Sequence, residues 1–101
     1  MPNYIVIHER HRECSDEPWL QESDFRYWND RRSVLKKTGV IICESMFEGR
    51  FSRIRMEVWR SKDDYISFRE DVCARVIDAV IRHEESANRG IIHETKEFEG
   101  R

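Results

Sequence analysis

Six patterned segments follow one another as strand, helix, strand, strand, helix, strand, and this order constrains the fold more than any other feature of the chain. Tyr4-Ile5-Val6-Ile7-His8 is a short, β-branched run that reads as a central strand buried on both faces. Glu9 to Ser23 is polar and reads as a long loop. Asp24 is placed to cap a helix running to about Lys37, with Phe25, Trp28, Arg32 and Leu35 on one face and Thr38-Gly39 as its stop. Val40 to Phe47 is a second strand, Glu48-Gly49-Arg50 a hairpin turn, and Phe51 to Arg60 a third strand. That third strand alternates cleanly, with Ile54, Met56 and Val58 on one side and Arg53, Arg55, Glu57 and Trp59 on the other. Ser61-Lys62-Asp63-Asp64 is a capping signature that opens a long helix to about Glu85. Ile91 to Phe98 is the fourth strand.

This order is the split βαβ, ferredoxin-like arrangement. Right-handed crossovers then predict an α+β domain with a four-stranded antiparallel sheet, order 4-1-3-2, and two helices on one face. At 101 residues the chain is expected to form a single domain. Charged residues make up 38% and hydrophobic residues 39%, with a mean hydropathy of −0.79, so the core of one copy is thin. On a helical wheel Tyr65, Phe68, Val72, Val76, Ala79 and His83 cluster together, beside a stripe of Ile66, Cys73, Ile77 and Ile81. The combined arc spans about 200°, where covering a sheet needs about 100°. The surplus predicts a homodimer.

Eighteen basic residues face twenty acidic ones, for a net charge of −2. This balance argues against nucleic acid or an anionic membrane as partner. No apolar run approaches the ~20 residues of a membrane span. Cys14, Cys43 and Cys73 form no framework of pairs, and the first residues lead straight into a strand pattern, so a cytoplasmic location is expected. His8, His11 and Cys14 recur at intervals of three but match no standard zinc spacing, so no metal is expected. With four glycines and no phosphate-cradling motif, no dinucleotide cofactor is expected either.

Two polar residues fall inside the apolar arc of the long helix, Arg69 and His83. A buried guanidinium needs a carboxylate (Glu57 or Glu44), a ligand or a route to water. His83 lies near a helix C-terminus, where the dipole favours positive charge. The expected topology brings His8, His83 and His93 to one end of the domain, near the long loop, as a candidate site for proton transfer. Arg55, Tyr65, Trp59 and Trp28 are the candidate ligand-binding residues. The alternative to each of these roles is an ordinary core or ion-paired side chain.

Other proteins share this element order, but the third strand lacks the stacking aromatics of an RNA-recognition motif, no CxxC marks a metal carrier, and the loop after strand 1 lacks the glycines of an acylphosphatase. The opening Tyr4-Ile5-Val6-Ile7-His8 strand, the third strand ending Glu57-Val58-Trp59-Arg60-Ser61, and the early helix aromatics Tyr65 and Phe68 resemble the dimeric α/β-barrel superfamily. That group includes antibiotic-biosynthesis monooxygenases and muconolactone-isomerase-like enzymes. The resemblance implies a dimeric α/β barrel, a pocket between sheet and helices, and chemistry without an organic cofactor. It further implies a small-molecule aromatic or polyketide-like substrate in secondary metabolism, undergoing condensation, cyclisation, isomerisation or oxygenation. His8 and His83 are then the candidates for proton transfer, and Arg69 the anchor. The competing reading is a non-catalytic dimeric ligand-binding or stress-response domain.

Overall fold

The computed structural model describes residues 2–13 and 17–100. Strand β1 (Tyr4–His11) leads through a short 3-10 turn (Glu22–Asp24) into α1 (Arg26–Lys37). The hairpin β2 (Ile41–Glu48) and β3 (Ser52–Trp59) follows, then α2 (Lys62–Arg69), α3 (Val72–His83), a single π-helical turn (Glu84–Asn88) and β4 (Ile92–Glu99). The sheet is antiparallel in the order β2-β3-β1-β4, which is the expected 4-1-3-2 read from the other edge. Among the described residues no helix is long and apolar enough to cross a membrane.

The α1–β2 connection follows from its sequence. Gly39 takes the left-handed conformation, φ +76°, that other residues adopt only with strain. Gly39 N–H then donates to Lys36 O, and Val40 N–H to Leu35 O, which closes the last turn of α1. Ser61 accepts from Asp64 N–H and starts α2, as its capping signature predicts. Asp24 does not cap α1. It lies in the 3-10 turn, and the residue at the N-cap is Phe25, whose side chain makes no capping bond.

The long second helix is two helices, not one. Asp71 has ψ 127°, so the helical path breaks there, and its carboxylate caps α3 by accepting from Ala74 N–H at 3.1 Å. The break resets the register of everything after it. Ala74, Ile77 and Ile81 face the sheet, while Val72, Val76 and Val80 are exposed. The single wide apolar arc of the sequence reading is therefore two arcs aimed in different directions. Strand β1 also runs further than expected, to His11, which shortens the polar loop.

The core sits between the sheet and the helices. It contains Tyr4, Val6, Trp28, Trp59, Tyr65 and Phe68, with Ala74, Ile77 and Ile81 from α3. Trp59 packs edge-on against Tyr65 at 5.4 Å between ring centroids, and Trp28 edge-on against Phe68 at 5.1 Å. The period-two alternation of β3 fixes what else shares this layer. Trp59 is fully buried, so Arg53, Arg55 and Glu57 on its side of the strand are buried too. The apolar members, Ile54, Met56 and Val58, lie on the opposite, open face of the sheet. That face also carries Phe47 and Phe98, both at least half exposed.

Candidate active site

Beneath the helices lies a buried layer of opposite charges. Arg10, Arg32, Arg53 and Arg55 are buried alongside Glu22, Glu57 and Glu85. Each ion needs a partner, because an unpaired charge in this layer is very costly. Glu22 pairs with Arg10, with Arg55 Nη1 at 3.1 Å and with Arg53 Nη1 at 3.5 Å. Burial alone would raise its carboxyl, but the three guanidiniums outweigh burial and hold it at about 2. Glu85 pairs with Arg10 Nη1 at 3.2 Å and with His93 Nε2 at 3.0 Å.

The network reaches a cavity of about 350 Å³ at its other end. Strands β1 and β3 supply His8, Arg55 and Glu57, α1 supplies Trp28 and Arg32, and the α2–α3 segment supplies Tyr65, Phe68 and the more exposed Arg69 and Arg75. Within it, His8 Nε2 lies 2.9 Å from Glu57 Oε1. Burial would raise the Glu57 carboxyl, yet the hydrogen bond from His8 and the charges of Arg55 and Arg32 hold it well below the usual carboxylate range. An ionised carboxylate only accepts, so His8 Nε2–H donates and Nδ1 is the nitrogen left to take a proton.

Glu57 is the hub of the cavity. Its Oε2 meets Arg32, and Arg55 Nε at 3.6 Å, as ion pairs without aligned hydrogen bonds. Arg55 Nε and Glu57 Oε2 thus keep hydrogen-bonding capacity at the cavity they line. The lining as a whole holds five arginines (Arg32, Arg55, Arg69, Arg75, Arg82) and three carboxylates (Glu57, Glu70, Asp78), a surplus of positive charge around aromatic walls.

No family model matches the chain, and no curated protein matches it in sequence. Solved structures match it in fold. SnoaB, a cofactor-independent oxygenase from Streptomyces nogalater, superimposes with a TM-score of 0.60 over 100% of this chain and 95% of its own, at 9% identity. A dimeric ferredoxin-like protein from an uncultured marine organism superimposes with a TM-score of 0.52 over 98% of this chain and 95% of its own, at 10% identity. The chain therefore shares the ferredoxin-like fold of these structures. At these identities the likeness concerns the path of the backbone.

On this fold the structure brings together His8, Arg55, Tyr65, Trp28 and Arg69, all of which line the cavity. It does not bring His83 there. His83 is exposed in the last turn of α3, beside Val76 and Val80, because the break at Asp71 turns that stripe outward. The expected grouping of His8, His83 and His93 is therefore not formed; His93 instead holds Glu85 at the far end of the ion network. Arg69 is not buried. It is about half exposed, lies 3.5 Å from Glu97 and stacks over Tyr65. The arginine that meets both Glu57 and Glu44 is Arg32. Trp59 does not line the cavity; it supports Tyr65 and Phe68 from below and donates Nε1–H to Glu57 at 3.4 Å. His8 faces the helices and His11 the open face, so they cannot share a metal; Cys14 lies outside the described residues. The sequence names Glu57 only as a possible partner of Arg69, and Arg32 only as a member of the α1 face. The signal for Glu57 as a buried site residue is Trp59, two residues after it, which places it on the buried side.

Proposed function

We propose that the chain is a small enzyme, working without an organic cofactor, that removes an acidic C–H proton beside a carbonyl of an aromatic or polyketide-like substrate. The observation that carries this reading is the His8–Glu57 pair set beside Arg55 in an aromatic-walled cavity. Glu57 orients the imidazole and stabilises it once protonated, leaving Nδ1 as general base. Arg55, with Arg32 behind it, offers positive charge to the enolate oxygen that forms. Trp28, Tyr65 and Phe68 bind the ring system, and Arg69 at the rim orients a carbonyl or carboxylate. An enolate is a common first intermediate for condensation, cyclisation, isomerisation and oxygenation. The fold shared with a cofactor-independent oxygenase supports this kind of chemistry.

The protein is further proposed to act as a homodimer through the open face of the sheet. Exposed Met56, Phe47 and Phe98 form an apolar surface there, and a dimeric protein shares the fold.

Hydrogen–deuterium exchange at the acidic methylene of 2-tetralone, which lies between the aromatic ring and the carbonyl, followed by NMR, tests the chemistry. Wild-type protein is expected to accelerate exchange, and His8→Gln to lower that acceleration about 100-fold or more. Exchange by His8→Gln at the wild-type rate overturns the proposal. Ring binding without accelerated exchange in the wild type favours the ligand-binding domain instead.

A further inference from the structure

We propose that Glu9, His11 and Glu94 form a binding site for one divalent ion of the zinc class, on the face of the sheet opposite the cavity. The site is independent of the chemistry proposed above. One ligand atom from each of the three residues falls within 4.8 Å of the others. The set is mixed, one imidazole and two carboxylates, which suits a borderline metal.

All three ligands stand on paired strands, not loops. Glu9 and Glu94 are direct cross-strand partners in β1 and β4, and His11 follows Glu9 on the same face. Two carboxylates directly opposite repel, and a cation between them relieves that cost. Among the described residues Glu94 makes no ion pair within 4 Å; Lys96, the cation that acts on it, is paired with Glu9.

The second sphere is in place. His11 Nδ1 lies 2.9 Å from Ser52 Oγ, on the neighbouring strand β3. With Nδ1–H donating to that hydroxyl, Nε2 is the free lone pair a metal needs. His11 Nε2 lies 3.4 Å from Glu9 Oε1. Two ligands each about 2.0–2.1 Å from a tetrahedral zinc stand about 3.3–3.4 Å apart. Glu9 divides its two oxygens: Oε1 faces His11, while Oε2 is held by Lys96 Nζ at 2.9 Å. Three protein ligands leave a fourth position for water or an exogenous group.

Isothermal titration of the full chain with zinc chloride tests the site, with the visible absorption of Co²⁺ as a second readout. One ion per chain is expected. His11→Gln and Glu94→Gln should each weaken binding about tenfold or more. Ser52→Ala, which removes only the orienting hydroxyl, should weaken it about tenfold. His83→Gln, at an exposed histidine elsewhere, should leave it unchanged. Failure of the wild type to saturate, wild-type affinity in His11→Gln, or loss on His83→Gln alone each overturns the proposal. Glu94 is exposed on an edge strand, so Glu94→Gln remains informative even where His11→Gln folds poorly.

Discussion

Replacing Glu57 by Gln keeps the shape of the side chain and removes the charge that two buried arginines share. Glu57 is 1% exposed and faces Arg32, Arg55 and His8. Taking one partner from a buried ion pair costs about 3–5 kcal/mol, most of it the cost of the charge left behind. Here neither arginine is fully abandoned: Arg32 keeps Glu44 and Arg55 keeps Glu22. The lower end applies, about 3 kcal/mol. At roughly 4–8 °C per kcal/mol for a domain of this size, Tm should fall by roughly 12–24 °C. Thermal unfolding reads the Tm, and urea unfolding reads the free energy, both by tryptophan fluorescence, since Trp28 and Trp59 are buried beside the network. The midpoint should drop with an unchanged slope, because the surface exposed on unfolding is the same. Asp30→Asn, which breaks the exposed pair with Arg26, serves as control and should stay within about 0.5 kcal/mol. A Glu57→Gln variant as stable as that control would mean that water reaches Glu57 and that the buried ionic layer is misdescribed.

Acid should unfold the protein through the same layer. Glu22 titrates at about 2 when folded and in the usual carboxylate range when unfolded, and Glu57 is shifted in the same direction. Depressed carboxylates contribute stability that is complete above about pH 4.5 and is lost as pH falls toward about 2. The urea midpoint should therefore decline steadily over that window; a flat profile would contradict the pairing. Ser61→Ala removes the cap of α2 and should cost about 1 kcal/mol by thermal unfolding. Met56→Lys places a charge on the open sheet face and should convert a species of about twice 12.3 kDa into one of 12.3 kDa in light scattering. A wild type that already runs at the smaller mass would remove the basis of the homodimer.

Strand order and hairpin position were legible because periodicity and turn chemistry act locally. Gly39, Ser61 and the Glu48–Arg50 turn carry their structural instruction within four or five residues. The break at Asp71 was harder to see. Asp71 suits a helix surface as well as a cap, and the apolar residues on either side fit one continuous wheel. Only packing against the sheet selects Ala74, Ile77 and Ile81 over Val72, Val76 and Val80, and that choice carried His83 away from the site. The inward face of β3 misleads for another reason. Hydropathy places Ile54, Met56 and Val58 inside and the charges outside, yet the structure does the reverse. Trp59 decides the matter, because its large ring needs the depth that only the helix-covered face supplies. His8, Arg55, Tyr65 and Trp28 were recoverable as lining residues because each lies on an element whose inward face was read correctly or is fixed by a neighbour.

The ionic layer also sets how stability varies with temperature. Unfolding exposes apolar surface, which raises the heat capacity, and polar surface, which lowers it. In this chain the space under the helices holds four arginines and three glutamates beside the aromatic cluster. Its heat-capacity increment should therefore fall below the roughly 1.2–1.5 kcal/mol/K usual for about 100 residues. A smaller increment flattens the stability curve. With less curvature, the margin of stability varies little from the cold to the warm end of the working range.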